Sequence, residues 1–476
     1  MLEKIKIKMS NDIIFEHGSF RDPDGRVFYY QQEVYRTVSV RCSKIIECLL
    51  KADFFQRFIQ SKDIVDTKIL NNDLLRFGDM SECFLQHERI PFITYPHEWS
   101  FYMLKDAALL TLHILKEALV NNFILKDGTA WNVTFHNNKM CFFDVISIGE
   151  YQNGQAWEGY GQFCQEFLYP LLIKAHKNID FQNFFKGSLS GITPNLANAI
   201  FSFNDWFKQG VFKHVFINAQ FNKSKTIKRA SLKNKFYLDV KVLINLATNL
   251  ESIIKSLYPK NQNSLWSDYA LNNTYSENDI DQKKTFILGA INKLQKIDKI
   301  IDLGCNTGEY SLMIANSNKN LTVFCCDLDA DCIDQLYNKT KKESYKNIYP
   351  FVLDLMNPSS MCGWDLKERK SIWQRINVDA FLVLALVHHI CIAYNVPLEI
   401  FIKFLSSIAS QGIIEWVDKQ DPMVQFLLRN RKDIFYDYEW KYFENIIIKY
   451  FHLAEVKTIN NGTRKLCLLL PKKNSI

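Results

Sequence analysis

Between Lys299 and Asp329 the chain reads KIIDLGCNTGEYSLMIANSNKNLTVFCCDLD, and few folds accommodate that order of parts. A short apolar run, Ile300–Leu303, carries Asp302, passes through Gly304 and Gly308, and opens onto a helical pattern. A second apolar run, Leu321–Cys326, stops at Asp327. The pattern predicts a β-strand, a glycine-rich turn, a helix and a second, parallel strand with a carboxylate at its carboxyl tip. Glycines let the backbone approach a ligand closely, and a tip carboxylate can accept from two ribose hydroxyls. A dinucleotide fold would show GxGxxG, its third glycine packing helix against strand. Here the spacing is Gly304-x-x-x-Gly308, with Asp302 ahead of the first glycine. An acid in that place suits a ligand with a cationic end and no pyrophosphate.

The sequence downstream extends the pattern. Tyr349–Pro358 (YPFVLDLMNP) predicts a third strand reaching Asp354, and Val378–Ile390 (VDAFLVLALVHHI) a fourth, fully buried one followed by His388 and His389. Gly412–Val417 (GIIEWV) predicts a fifth strand ending near Glu415. Continuous apolar strands alternating with helical segments call for a parallel sheet covered on both faces, and ligands of such sheets bind beyond the carboxyl ends of the strands. Asp302, Gly304, Asp327, Asp354, His388 and Glu415 are all expected there.

This run resembles motif I, the acidic loop and the fourth-strand motif of class I S-adenosylmethionine (SAM) dependent methyltransferases, whose motif I has the form (D/E)xGxGxG. Asn306 stands where the middle glycine often sits. The resemblance implies a Rossmann-like domain with a parallel-rich sheet, holding SAM through Asp302, Gly304, Cys305, Asn306, Thr307, Gly308, Asp327, Leu328, Asp354 and Leu355. Leu265–Tyr275 (LWSDYALNNTY) is an entry segment whose Trp266, Asp268, Tyr269 and Tyr275 are placed to fold over the methionine end or to pack on the next helix. Tyr269 is the cofactor-binding candidate among them, since a tyrosine ring shields a sulfonium by cation–π contact.

At 476 residues the chain is too long for one ordinary domain. Its 58 basic and 51 acidic side chains leave +7, an excess that permits an anionic partner without demanding one. No block of like charge reaches the length of a nucleic-acid arm, so nucleic acid is not indicated. The first residues, MLEKIKIKMSNDII, lack the apolar run of a signal peptide, and no apolar stretch approaches the roughly eighteen residues of a membrane span. The 12 cysteines fall singly or as Cys325–Cys326, without paired metal spacing, and read as reduced core residues of a cytoplasmic protein.

The amino-terminal half has its own pattern. Gly18–Val38 predicts a β-hairpin turning at Pro23–Asp24–Gly25, and Trp99–Val120 a helix with Leu109, Leu112, Leu115 and Leu119 on one stripe. Asp127 is followed by Asn132, a strand, a short turn at Asn137–Asn138 and a strand ending at Asp144. These parts resemble the catalytic and metal-binding loops of protein and small-molecule kinases, where an Asp serves as base and an Asn and a second Asp hold magnesium. Lys126 replaces the usual arginine, Val145–Ile146 replaces Phe–Gly, and no glycine-rich phosphate loop is present; Arg36 is the stand-in for the nucleotide-binding lysine. An inactive relative fits these departures better than a working phosphotransferase. The same Asp and Asn residues also suit turns and caps. Trp157–His176 predicts a helix with an aromatic stripe of Tyr160, Phe163 and Phe167 completed by Leu171, a core pattern.

The organisation expected is thus α/β: a kinase-like α+β domain at 1–177, a helical connector at 178–262 and a methyltransferase domain at 263–476. Taken with Ile90–Phe101 (IPFITYPHEWSF), Phe20–Gly25 (FRDPDG), IIEWVDKQDPMVQFLL and Arg429–Tyr438 (RNRKDIFYDY), the chain resembles bacterial class I methyltransferases related to host-specific nodulation proteins, over nearly its whole length. That resemblance implies methyl transfer from SAM to an acceptor of unassigned chemistry: a glycan, a cell-surface component or a small metabolite. His389, His388, Glu415 and Lys419 are the acceptor-side candidates, the histidines for proton removal or orientation. Two rival readings stay open: a non-catalytic SAM or nucleotide sensor, and a phosphotransferase using Asp127, Asn132 and Asp144. Oligomeric state has no signature in the sequence.

Overall fold

The computed structural model describes residues 13–70, 81–221, 238–260, 275–430 and 432–472. By its contacts the chain forms two compact units: Met1–Asn261 with Ser360–Ser371, and Gln262–Ser359 with Ile372–Ile476.

The first unit opens with strands β1 (Ile14–Phe15), β2 (Val27–Tyr30), β3 (Glu33–Ser39), β4 (Thr67–Leu70) and β5 (Ser81–His87). They form an antiparallel sheet in the order β1-β2-β3-β5-β4. Phe28, Tyr35 and Phe84 make its core: Phe28 stacks on Tyr35 at 5.4 Å and takes Phe84 edge-on at 6.2 Å. The β2–β3 turn falls at Gln31–Gln32, both at positive φ, and not at Pro23–Asp24–Gly25 as expected. That tripeptide lies instead in the longer link from β1 to β2, where Asp22 accepts the Asp24 amide in a local turn. Glutamine carries no turn signature, so the true turn was invisible in the sequence.

The helix Phe101–Val120 follows, burying Leu112, Leu115 and Leu119. Then come β6 (Phe123–Leu125), β7 (Val133–His136), β8 (Lys139–Phe142) and β9 (Ile148–Glu150), with β6 paired to β9 and β7 to β8. Residues 160–177 are helical with a π-turn at Cys164–Leu168, and Phe163, Phe167 and Leu171 are fully buried. The Ser360–Ser371 segment belongs to this unit through Glu368, which takes Arg21 in a bidentate pair at 2.6 and 2.8 Å, and Lys370, which meets Glu16 at 2.6 Å. The Arg369 guanidinium lies over the Trp131 ring at 4.7 Å.

The second unit is a seven-stranded sheet: β10 (Lys299–Leu303), β11 (Thr322–Asp327), β12 (Ile348–Val352), β13 (Ala380–Val383), β14 (Gly412–Val417), β15 (His452–Ile459) and β16 (Arg464–Leu470). Their order is β12-β11-β10-β13-β14-β16-β15, the first five parallel and the last two antiparallel. Every residue of β12, β13 and β14 is buried, which explains their unbroken apolar runs. Parallel neighbours need crossovers, supplied by helices such as Glu309–Ser317 and Ala330–Glu343. The sequential order reverses at β10, with β11 on one side and β13 on the other. A crevice opens at the carboxyl ends at such a switch point. Among the described residues no helix is long and apolar enough to cross a membrane.

Candidate cofactor and acceptor site at the strand ends of the second unit

The turn after β10 bends three times through the left-handed region, at Gly304 (φ 78°), Asn306 (φ 51°) and Gly308 (φ 79°). Asparagine is the non-glycine residue that tolerates this best, which is why it can replace the middle glycine. Its side-chain oxygen caps the turn by accepting from the Thr307 amide at 2.7 Å. A Cβ on Gly308 would lie 2.5 Å from Leu336 Cδ1, so that glycine is required by space as well as by φ. A Cβ on Gly304 would meet Leu386 at 3.3 Å, which brings the loop after β13 against the turn. Cys305 lies buried in the turn.

Asp327 ends β11 and, among the described residues, its carboxylate meets backbone amides: Oδ2 accepts from the Asn306 amide at 2.8 Å and Oδ1 from the Asp329 amide at 2.9 Å. Such amides do not fill the roughly four acceptor sites of a carboxylate. Asp302, 3% exposed, accepts from Ser311 Oγ at 2.6 Å. Burial, with the Asp327 charge adding to it against the Ser311 hydrogen bond, pushes its pKa up to about 7. Burial raises Asp327 as well. Two neighbouring acids, one buried and one partly buried, raised together favour a cation beside them. Asp354, two residues beyond β12, accepts from the Met356 amide at 2.9 Å. Leu328 is 52% exposed and Leu355 partly so.

Beyond β13 the chain passes Ala385 in the left-handed region (φ 47°), a strained choice for alanine. Its amide donates to Glu415 Oε2 at 3.0 Å. Glu415 was expected near a strand tip; it lies inside β14, paired in register with Leu466, and is fully buried. Lys283 meets it at 2.7 Å, and both Tyr275 and Arg464 bond its other oxygen. Arg464 also pairs with Asp421 at 2.7 Å, and the Lys283 ammonium lies over the rings of Tyr275 (4.7 Å) and Tyr310 (4.9 Å). Although burial alone would raise it, these cations bring the Glu415 pKa down to about 2. Burial pulls the Lys283 pKa down in turn, with the Glu415 charge and hydrogen bond working against it. Glu415 is therefore a fixed anion holding the loop.

His388 is wholly buried, neither ring nitrogen has a hydrogen-bond partner among the described residues, and burial takes its pKa well below the usual value. His389 is partly exposed; burial and then Arg464 bring it down to about 4, so the ring is neutral near pH 7. The two rings lie 4.2 Å apart. Lys419 is paired with Asp433 at 2.9 Å. Trp266, Asp268 and Tyr269 lie outside the described residues, and Tyr275 is committed to the Glu415 cluster. Sequence reasoning missed Lys283, Arg464 and Asp421. A lysine inside an otherwise helical apolar face was the one available signal.

The first unit contains the second set of candidates. Arg36 of β3 bonds both Asp144 and Asp22. The Asn132 Nδ2 is buried without a hydrogen-bond partner among the described residues. Burial and then the Asp144 charge raise Asp127. Among the described residues no group of three His, Cys, Asp or Glu side chains is placed to hold a metal ion.

Residues 268–361 match the family model Methyltransferase small domain. The chain is 33% identical over 461 residues to Nodulation protein NoeA of Rhizobium meliloti (strain 1021), covering 94% of each. It is similar to two solved structures at 14% identity. One is magnesium protoporphyrin IX methyltransferase (ChlM) from Synechocystis PCC 6803 with bound SAH, covering 45% of this chain and 91% of that one (TM-score 0.30). The other is WbdD, covering 43% and 42% (TM-score 0.28). Scores this low add nothing to the assignment.

The cofactor of such a domain is SAM, and the residues present fit it. The turn has no room for a Cβ at Gly308, Asp327 sets a carboxylate at the strand tip beside it, and Leu328 next to it is an exposed apolar side chain. The sheet order, the glycine turn and the two matches lead to one conclusion: the second unit is a class I methyltransferase domain, and the chain belongs to the family of Nodulation protein NoeA.

Proposed function

We propose that the second unit binds SAM at the carboxyl ends of β10–β12 and directs methyl transfer to an acceptor held by the loops after β13 and β14. The observation that carries this reading is Asp327, a tip carboxylate held among the described residues by backbone amides, beside a turn with three positive φ values. In this reading Asp327 takes the ribose hydroxyls, Leu328 and Leu355 flank the adenine, Asp354 accepts from its amine, and Asp302 with the 304–308 turn faces the methionine end. The bound cofactor supplies an electrophilic methyl group on a sulfonium.

For the chain's own residues the work is positioning. Glu415 fixes the Ala385 amide, and through that loop Leu386 and His389, so the acceptor meets a preset geometry. His389, neutral near pH 7, takes the proton an oxygen acceptor releases, with His388 as the buried ring behind it. The relative's name points the acceptor search toward glycans and cell-surface components, with small metabolites as the other class.

The phosphotransferase reading of the first unit is not adopted, because the carboxylate it needs, Asp144, is bonded to Arg36. Calorimetric titration with SAM tests the proposal. Micromolar-range binding that Asp327→Ala weakens supports it; no binding by the wild type ends it. Tight binding without turnover on any glycan or metabolite pool would return the sensor reading. Once an acceptor is known, His389→Ala should keep SAM affinity and lose turnover.

A further inference from the structure

The turn that follows β13 in the second unit carries two unfavourable features within four residues. Ala385 stands at φ 47°, where an L-alanine is strained. His388 is 0% exposed, and neither Nδ1 nor Nε2 has a hydrogen-bond partner among the described residues. Burying one unmatched polar atom already costs free energy, and a neutral imidazole buries two, a donor and an acceptor. Such features persist only where the surroundings enforce them, and they gather at sites that act on a ligand. The enforcement here is visible: Glu415 accepts from the Ala385 amide at 3.0 Å, and Lys283 and Arg464 hold Glu415 in place.

What the ring can take follows from its neighbours. The charge that acts on both His388 and His389 is that of Arg464. It is committed to Asp421 at 2.7 Å and to Glu415 at 3.5 Å, so a carboxylate finds no uncommitted cation in that cluster. Both acids are in turn bound to cations, which leaves an ammonium no uncommitted anion there. Burial, with His389 and Arg464 adding to it, keeps the His388 ring neutral. A hydroxyl is donor and acceptor at once, and it matches whichever nitrogen of a neutral imidazole faces it. The open side is His389, partly exposed, with its ring 4.2 Å from that of His388.

Resting on the methyltransferase reading of the second unit, we propose that the acceptor is a neutral hydroxyl compound, an alcohol or a sugar, whose hydroxyl is bound by the His388 ring once the turn at residues 384–386 yields. The product is a methyl ether. The hydroxyl oxygen gains the methyl carbon, its proton passes to His389, and the electron pair of the broken carbon–sulfur bond stays with sulfur.

The full-length protein, His388→Leu and His388→Gln are each given SAM with a carbon-13 methyl group and an extract of glycans and small metabolites from the cells that make the protein. The methyl resonance tells oxygen from nitrogen and carbon, and mild base frees methanol from an ester but not from an ether. The wild type is expected to yield an ether. His388→Leu should melt about 3 °C higher, because the unmatched ring is gone. It should bind SAM as the wild type does and label the extract about 100-fold less. His388→Gln keeps a donor and an acceptor and should retain part of the labelling that leucine loses. An N-methyl, C-methyl or ester product overturns the proposal and leaves the methyltransferase reading standing. Absence of SAM binding by the wild type ends both, and SAM binding without any labelled product returns the sensor reading and overturns the proposal. A leucine variant that melts lower marks a ring matched by internal water and serving the fold, which overturns it too. So does wild-type labelling by the leucine variant, or equal loss in both variants.

Discussion

Asp144 of the first unit and Asp327 of the second both stand at the carboxyl end of a strand, and they are held in opposite ways. Asp144 is bonded by the Arg36 guanidinium, which also takes Asp22. Asp327 accepts from backbone amides, those of Asn306 and Asp329 among them, and meets no cation among the described residues. A guanidinium neutralises the carboxylate it bonds, whereas backbone amides orient one without bringing an opposite charge to it. The difference separates an acid spent on structure from one kept for a ligand. Glu415 belongs with Asp144: fully buried, paired with Lys283 and Arg464, and used to fix a backbone amide.

The largest effect expected is on Glu415. Glu415→Ala should cost about 3–5 kcal/mol in denaturant unfolding, because it leaves Lys283 buried without its anion, while Arg464 keeps Asp421. With its pKa lowered to about 2 in the folded protein, its stabilisation is complete above the ordinary carboxylate value and disappears as pH falls toward 2. A loss under 1 kcal/mol would remove it from the structural class. Next, Asp327→Ala should weaken SAM binding about 100-fold by removing two charge-assisted hydrogen bonds, with little change in melting. If melting falls steeply and affinity does not, the contrast with Asp144 fails.

A smaller effect concerns Asp302, whose pKa near 7 in the free protein makes it half-protonated at neutral pH. A cation bound beside it favours the ionised form, so binding releases a proton. SAM affinity should therefore rise about tenfold from pH 6 to pH 8 and level off above, and Asp302→Asn should flatten the profile. Calorimetry in buffers of different ionisation enthalpy reads the proton directly. The smallest change is Ala385→Gly, which relieves the left-handed strain at the loop that Glu415 holds and should gain about 0.5 kcal/mol. A loss would show that the Cβ there makes a contact worth more than the strain.

What the sequence disclosed follows from how each element is built. The run from Ile300 to Asp327 was legible because strands buried on both faces must be continuously apolar, and the turn between them needs left-handed residues. Glu415 was read at the wrong height in its strand because its partners are remote: Lys283 lies 132 residues before it and Arg464 49 after. No local pattern announces such a pairing. The antiparallel β15–β16 pair went unread: β15 is largely exposed and its alternation is broken by a register shift near Leu453. The Gln31–Gln32 turn escaped because its positive φ values rest on residues that rarely adopt them.

The assignment of Ser360–Ser371 to the first unit has a consequence for how this protein is inherited and cut. Those twelve residues are flanked on both sides by sequence of the second unit, and they bring Glu368 to Arg21 and Lys370 to Glu16. A gene with this wiring cannot be divided by one break near residue 262 into two self-sufficient reading frames. The downstream product would keep a segment stripped of its partners, and the upstream product would lose an ion-paired strap.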